Sequence, residues 1–135
     1  EVMRLALDIF NEDYIVFNPS EEQITGTFDR TQLIRVITNL VKNAIQANTH
    51  NNSPRIDVSV NQKNNLIEIT VSDNGVGVTE ENKARIFEPK FTTKSSGMGL
   101  GLAMVKNIVE TYNGNITFTS EEHHGTTFTV TLPKT

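Results

Sequence analysis

The segment that most constrains the fold is TQLIRVITNLVKNAIQAN, in which apolar residues recur on one side of a helix. Asp29 stands where the N-cap of this helix is expected, so the sequence predicts a helix over residues 30–48. The apolar stripe is broad, which is typical of a helix that packs against a sheet. The rest of the chain must therefore supply that sheet. The stripe consists of Leu33, Val36, Ile37, Leu40, Val41, Ala44, Ile45 and Ala47.

Alternation of apolar and polar residues predicts the strands of this sheet. RIDVSV and LIEITVSD alternate on either side of an asparagine-rich linker, so residues 55–71 are predicted to form a hairpin. NITFTS and TTFTVTL alternate in the same way around EEHHG and predict a second hairpin. YIVFN at 14–18 and the residues from Ile24 to Phe28 predict two further short strands.

Two further segments have helical spacing, residues 1–12 and the stretch LGLAMVKNIVETYN, for which Gly114 is the expected C′ terminator. The elements together predict an α+β fold. We expect a two-layer α/β sandwich, in which helices cover one face of a mixed, mostly antiparallel sheet.

Composition excludes several classes of function. A length of 135 residues indicates one domain, and 12 Lys+Arg against 16 Asp+Glu gives a net charge of −4, which argues against a general nucleic-acid interface. The absence of Cys excludes disulfides and thiolate metal sites. No apolar run approaches the roughly 20 residues of a membrane span, so a cytoplasmic location is expected. The chain begins at Glu1, so we expect a fragment of a longer protein, and its parent could be membrane-anchored.

Five of the eight glycines fall between Asp73 and Gly101, where apolar residues are sparse. GMGLGL at 97–102 opens directly into a helix, and exposed N–H groups at a helix start bind anions. The alternative is that these glycines only shape a loop. In DNGVGV at 73–78, the Asp73 carboxylate could accept a hydrogen bond from a purine amine, although Asn-Gly is also a common turn pair.

Two other segments carry candidate polar groups. Asn39 and Asn43 are spaced i, i+4 on the long helix, so their amide oxygens could face a hard cation, or simply solvent. In IFEPKFTTK at 86–94, Phe87 and Phe91 are expected to anchor a lid, and Lys94 could reach phosphates. His123 and His124 lie in a hairpin loop with no third ligand within sequence reach, and His50 lies in a polar loop, which argues against a histidine metal site.

In their order and spacing, these pieces resemble the catalytic and ATP-binding domain of bacterial sensor histidine kinases, in the superfamily shared with gyrase and MutL. The resemblance covers nearly the whole chain, to Pro133. The residues of its motifs are most similar to those of the nitrogen-regulation-type kinases. NLVKNAIQA (39–47) resembles the family's N box, DNGVGV its G1 box, IFEPKFTTK its F box and GMGLGL its G2 box. GTTF (125–128) resembles the Gly-Thr signature of the last strand.

The resemblance implies a role for each matching residue. Asp73 would accept from the adenine amine with help from Thr126, between the pocket glycines Gly75 and Gly77. Asn43 would be the catalytic magnesium ligand, with Asn39 one turn earlier. Lys94 would be a phosphate contact that takes part in catalysis. The lid hinge and triphosphate loop would comprise Gly97, Gly99, Leu100 and Gly101.

The resemblance also implies the function. Residues 1–135 would form one ATP-binding catalytic domain of the Bergerat type, with a mobile lid over about 78–98. With ATP and Mg²⁺ bound, it would transfer the γ-phosphoryl group to a histidine on a helical dimerisation domain absent from this chain. A response regulator would be an indirect partner, and the domain would contact neither nucleic acid nor a membrane directly. The alternatives are an ATP-binding module without transfer activity and a Ser/Thr kinase or ATPase of the same superfamily.

Asn39 bears on these alternatives. Members of the superfamily that hydrolyse ATP carry a Glu at this position as general base, and an amide cannot accept a proton near pH 7. Slow intrinsic hydrolysis is therefore expected, which suits a kinase.

Overall fold

The computed structural model describes residues 2–7, 10, 13–18, 28–88 and 99–133. These ranges contain both helices and strands, and the α+β class predicted from the sequence is confirmed. In chain order the elements are α1 (Val2–Leu7), β1 (Ile15–Asn18), α2 (Arg30–Ala47), β2 (Ile56–Lys63), β3 (Leu66–Asp73), α3 (Glu80–Lys83), α4 (Gly99–Thr111), β4 (Asn115–Glu121) and β5 (Gly125–Pro133).

The five strands form one sheet in the order β1-β2-β3-β5-β4. β1 pairs with β2 in parallel, and the other three pairings are antiparallel, so the predicted mixed sheet is confirmed. Both predicted hairpins are present, as β2–β3 and β4–β5. The parallel pair follows from the connection through α2, because parallel neighbours need a long crossover.

The register places apolar side chains in rows across one face of the sheet. Val58, Val71, Phe128 and Phe118 occupy one such row, and Val60, Ile69, Val130 and Ile116 occupy the next. The apolar side of α2 covers this face, as its one-sided stripe requires. The α2 residues buried there are Val36, Ile37, Leu40, Val41 and Ala44.

The start of α2 is the one predicted. The Asp29 carboxylate accepts from Thr31 N over 2.8 Å and from Gln32 N over 3.3 Å, which satisfies two N–H groups of the first turn. The end of α4 differs from the prediction that Gly114 is its C′ residue. Asn113 takes the left-handed conformation, with φ 61°, and Gly114 N donates to Val109 O over 2.9 Å.

That pattern is a Schellman ending, in which Asn113 is C′ and Gly114 follows it. Glycine is required at 114 for another reason, since a Cβ there would overlap the Thr131 carbonyl oxygen.

Two further expectations for the N-terminal third have a different outcome. Of the helix expected over residues 1–12, α1 covers Val2–Leu7, Phe10 is not helical and donates from its N–H to Leu7 O, and residues 1, 8, 9, 11 and 12 lie outside the described ranges. Of the strand expected from Ile24 to Phe28, residues 24–27 lie outside the described ranges, and Phe28 is not in a strand. No helix within the described ranges has the length and apolar character that crossing a membrane requires.

An aromatic contact joins the start of α2 to the end of α4. Tyr112 packs edge-on against Phe28 with ring centroids 5.3 Å apart, and its hydroxyl accepts from Asp29 N over 2.8 Å. We expect Tyr112→Phe to lower the free energy of unfolding by about 0.5–1.5 kcal/mol, because the ring contact stays and the Asp29 N–H loses its acceptor. Urea denaturation measures this difference, and an unchanged midpoint would show that water replaces the hydroxyl at no cost.

Candidate functional site

A polar row ends the otherwise apolar face of the sheet that lies under the helices. The register places Asp73 opposite Thr126, and Thr126 opposite Ser120, on three adjacent strands. The row continues the positions that are apolar in the rest of the sheet, so these side chains share the helix-covered face. Thr126 is only 6% exposed. Buried polar side chains need hydrogen-bond partners, so this row is where a ligand or a polar network is expected.

The Asp73 carboxylate is held by the loop that follows it. Asp73 Oδ1 accepts from Gly75 N over 2.8 Å, which closes a tight turn at the end of β3. Gly75 lies against the C-terminal end of α2, where a Cβ would overlap the Ala47 carbonyl oxygen, and Val76 N donates to that same oxygen over 3.1 Å. The turn predicted for DNGVGV and the positioned carboxylate are therefore both present.

Gly77 lies against the β4–β5 hairpin. Its φ of +73° favours glycine, and a Cβ would overlap the Glu121 carbonyl oxygen. His123 N donates to Val76 O over 2.7 Å across the same contact. Gly75 and Gly77 thus bring the loop close to backbone on two sides, at α2 and at the hairpin.

One face of α2 links the two glycine-rich segments. Ala47, Asn43 and Asn39 are spaced four residues apart, so they lie along one side of the helix. Ala47 meets the loop at Gly75, while a Cβ on Gly101 would lie 2.9 Å from Asn39 Oδ1. The two contacts are about 12 Å apart along the helix axis, with half-buried Asn43 midway between them.

The predicted G2 segment opens α4. The helix begins at Gly99, so the backbone of Gly99, Leu100 and Gly101 forms its first turn. The N–H groups of a first turn have no acceptor within their own helix, which makes this end of α4 able to bind an anion. The side chain of Asn39, next to it, donates from Nδ2 to Arg35 O over 2.8 Å. Gly97 and Lys94 lie outside the described residues.

The described part of the predicted lid is folded onto the sheet. Thr79 caps α3 by accepting from Asn82 N, and buried Ile86 joins the core. The Phe87 ring lies edge-on to those of Phe118 and Phe128, with centroids 5.9 and 6.4 Å apart, so its predicted anchoring role is confirmed. Phe91 and the rest of the lid, residues 89–98, lie outside the described ranges.

The sequence did not single out an asparagine network behind the Asp73 turn. Asn74 Oδ1 accepts from Arg55 N over 2.8 Å, and its Nδ2 donates to Ser53 O over 3.0 Å. Asn51 Nδ2 donates to Asn74 O and to the side chain of Asn48, which is buried at the end of α2. The network ties the turn to the loop after α2. Its only signal in the sequence is the run of asparagines in NTHNNSP.

Arg55 also lies beside this loop, but its charge is directed to the other face of the sheet. Its guanidinium donates to both carboxylate oxygens of Asp57, over 3.0 and 3.1 Å. This hydrogen bonding raises the pKa of Arg55 above its ordinary value. Because Asp57 neighbours inward-facing Ile56 along β2, the pair lies on the outer face, opposite the polar row.

The histidines predicted not to form a metal site lie within the described residues. Among those residues, no group of three or more His, Asp or Glu side chains is placed to hold a metal ion. His123 is instead a turn residue with φ 69°, and its ring lies 3.6 Å from the exposed Glu122 carboxylate.

Comparison with known proteins gives one consistent result. Residues 28–135 match the family model described as "Histidine kinase-, DNA gyrase B-, and HSP90-like ATPase". The chain is 38% identical over 105 residues to sporulation kinase B of Bacillus subtilis, and 43% identical over 105 residues to the sensor histidine kinase ZraS of Escherichia coli. Each match covers 78% of this chain but only 24% and 22% of those relatives. The chain thus spans about a quarter of the length of these curated relatives.

Solved structures also resemble this fold. The catalytic domain of histidine kinase ThkA, free of nucleotide, superposes with a TM-score of 0.84 at 29% identity, covering 98% of this chain and 92% of that domain. Full-length ShkA in complex with AMPPNP superposes with a TM-score of 0.83 over 98% of this chain and 29% of that protein. At 22% identity, that second likeness concerns the fold alone.

Proposed function

The chain belongs to the family of histidine kinase-, DNA gyrase B- and HSP90-like ATPases, as a catalytic domain of the sensor histidine kinase type, and from this we propose that it binds ATP with Mg²⁺ and donates the γ-phosphoryl group to a histidine. The acceptor would lie on a helical dimerisation domain of the same kinase, and a response regulator would receive the group afterwards. One observation carries the proposal. The polar row at the end of the sheet and the first turn of α4 are bridged by one face of α2.

At the row, Asp73 would bind the adenine. A carboxylate offers about four acceptor positions, and the bond from Gly75 N fixes its orientation, so it can also accept from the N6 amine. Thr126 lies beside it in the register. The flat ring would lie beside the turn that contains Gly75 and Gly77, whose lack of side chains lets this loop pack closely against the end of α2 and the β4–β5 hairpin.

At the other end of the site, the first turn of α4 would bind the triphosphate through backbone N–H groups. Asn43 lies midway between this turn and the Asp73 turn, and an amide oxygen is a suitable ligand for Mg²⁺, so the donor set fits that ion. Mg²⁺, when bound, would neutralise negative charge on the phosphates. The protein's own part would be to align the γ-phosphoryl group for an incoming histidine, with Lys94 as a further contact.

Calorimetric titration with ATP, in the presence and absence of Mg²⁺, tests the binding proposal. We expect Mg²⁺ to strengthen ATP binding, because Asn43 would hold the ion beside the triphosphate. Absence of ATP binding under both conditions would refute it.

Transfer of the γ-phosphoryl group is tested by adding a phosphoacceptor domain of a related kinase and following labelled phosphate. Binding without transfer to any acceptor would instead favour an ATP-binding module.

The Asn39 side chain gives a prediction about the rate at which the domain hydrolyses ATP. Its amide donates to Arg35 O and lies against Gly101, and it cannot act as a base near pH 7. We expect slow ATP hydrolysis at saturating MgATP, with a rate that Asn39→Ala changes by less than about threefold, well below the 10²-fold or more that general bases contribute. A phosphate-release assay measures both rates. A loss of a hundredfold in the variant would identify Asn39 as part of a hydrolytic machinery.

A further inference from the structure

Ser120, at the outer end of the polar row, is a half-buried hydroxyl that three other polar groups approach. Its Oγ lies 2.9 Å from Thr126 Oγ1 and 3.1 Å from the Gly125 carbonyl oxygen, and Val78 N donates to it over 2.7 Å. These contacts join β4, β5 and the loop that follows Gly77. Nothing in the proposed ATP contacts requires a hydroxyl at this position.

The number of protons at Ser120 limits how these contacts can be made. A serine hydroxyl has one proton and two lone pairs, and the Val78 N–H takes one lone pair. If Ser120 donates to Thr126, its contact with the Gly125 carbonyl is not a hydrogen bond. If Ser120 donates to Gly125 O, Thr126 can donate to the second lone pair, and all three contacts are hydrogen bonds. Since buried polar groups are normally satisfied, the second arrangement is favoured.

In that arrangement, the Thr126 proton points to Ser120, and only lone pairs of Thr126 remain for a ligand. Asp73, its neighbour in the register, is an acceptor too. With the 6 position of the purine, rather than N1, beside the two residues, the substituent at that position meets two acceptors. A 6-amino group has two N–H bonds and can donate to both, whereas a 6-oxo group presents only lone pairs to them and is rejected.

We propose that Ser120 is a positioning residue for base specificity, which holds the Thr126 hydroxyl as an acceptor and thereby favours 6-aminopurine over 6-oxopurine nucleotides. This inference rests on the proposed contact between Thr126 and the adenine. Without the Ser120 hydroxyl, the Thr126 proton is free to rotate toward the ligand and can donate to a 6-oxo group.

The test is the ratio of the Kd for ITP to the Kd for ATP, measured with Mg²⁺ by calorimetry on the whole chain. We expect Ser120→Ala to lower this ratio about three- to tenfold, the range of one neutral hydrogen bond. Thr126→Val is expected to lower it as well. In the Thr126→Val background, Ser120→Ala is then expected to have no further effect, because it acts only through that hydroxyl. If Ser120→Ala lowered the ratio only by disturbing the structure, it would lower it in the Thr126→Val protein as well.

The chain contains a matched control. Ser72 and Thr127 form the same kind of cross-strand hydroxyl pair, with oxygens 2.8 Å apart, but on the outer face of the sheet. Ser72→Ala removes a comparable bond, and we expect the ITP-to-ATP ratio to stay that of the unaltered protein. Ser120→Cys replaces the hydroxyl by a weak donor of similar size and gives the same test if Ser120→Ala does not fold.

The outcomes separate this inference from the proposed function. A ratio that falls in Thr126→Val but not in the Ser120 variants overturns the role of Ser120 and leaves ATP binding intact. If the ratio is unchanged in Thr126→Val, the inference is overturned too, because Thr126 would then not distinguish ATP from ITP. If the unaltered chain binds no ATP, the proposed function has failed and this inference falls with it.

Discussion

Asp73→Asn is expected to weaken ATP binding about 100-fold while leaving the fold intact, because a hydrogen bond to a charged group is lost and a donor is placed opposite the adenine amine. The substituted side chain keeps one oxygen, which can still accept from Gly75 N, so the turn can close as before. Its NH₂ group is then directed at the N6 amine, and two donors face each other. Calorimetric titration with MgATP gives the affinity, and circular dichroism reports the fold.

Asp57→Asn is the control for this experiment. It makes the same change in charge, but on the outer face of the neighbouring strand, where the carboxylate pairs with Arg55. We expect its ATP affinity to equal that of the unaltered protein. If Asp73→Asn binds ATP normally, the adenine assignment is wrong, and the base must be bound elsewhere on the domain.

Gly125→Ala is expected to cost about 3 kcal/mol or more of unfolding free energy, because two independent features of this position exclude a side chain. Its φ is +122°, where residues other than glycine are strained. A Cβ would also overlap the Asp73 carbonyl oxygen and lie 2.9 Å from Asn74 Cα. To fit the methyl group, β3 and β5 must separate at the end that carries Asp73 and Thr126, so nucleotide affinity should fall together with stability.

Gly101→Ala is the comparison for this variant. Its new methyl group would meet the end of the Asn39 side chain, which can move, rather than backbone. Alanine also favours a helix over glycine by about 0.5–1 kcal/mol. We therefore expect its stability to stay within about 1 kcal/mol of the unaltered protein. Urea denaturation compares the two variants, and equal losses would mean that the backbone at 125 can relax.

Local sequence signals predicted most of the fold, for identifiable reasons. α2 has a capping Asp29 and a long apolar stripe, and each hairpin has alternation with a turn between its strands, so pattern and structure agree. The end of α4 was predicted less well. Gly114 looks like the terminator because glycine usually is, whereas Asn113 takes the left-handed conformation and Gly114 is fixed by the approach of β5. That approach is a tertiary contact, which no local pattern contains.

The site was predicted unevenly for the same reason. Asp73 and the glycines after it stand out because their residue types are unusual at a strand end. Ser120 does not stand out, although the alternation through Ile116 and Phe118 places it on the inner face of β4. A polar residue at an inward position was the available signal. Its meaning depends on Thr126 and Val78, which only the pairing of β4 with β5 and the path of the loop bring to it.

The network around Asn74 also affects the chemical stability of the protein during storage. Asn74 and Gly75 form an Asn-Gly pair, and asparagine is thermolabile because the next backbone nitrogen can attack its side-chain carbonyl and convert it to aspartate. In the folded domain, Gly75 N is held by Asp73 and the Asn74 amide by Arg55 and Ser53, so the two reacting groups are kept in place. Deamidation should therefore follow the opening of this loop. Its product would be a second carboxylate next to Asp73, so old or heated preparations would lose their site before they lose their fold.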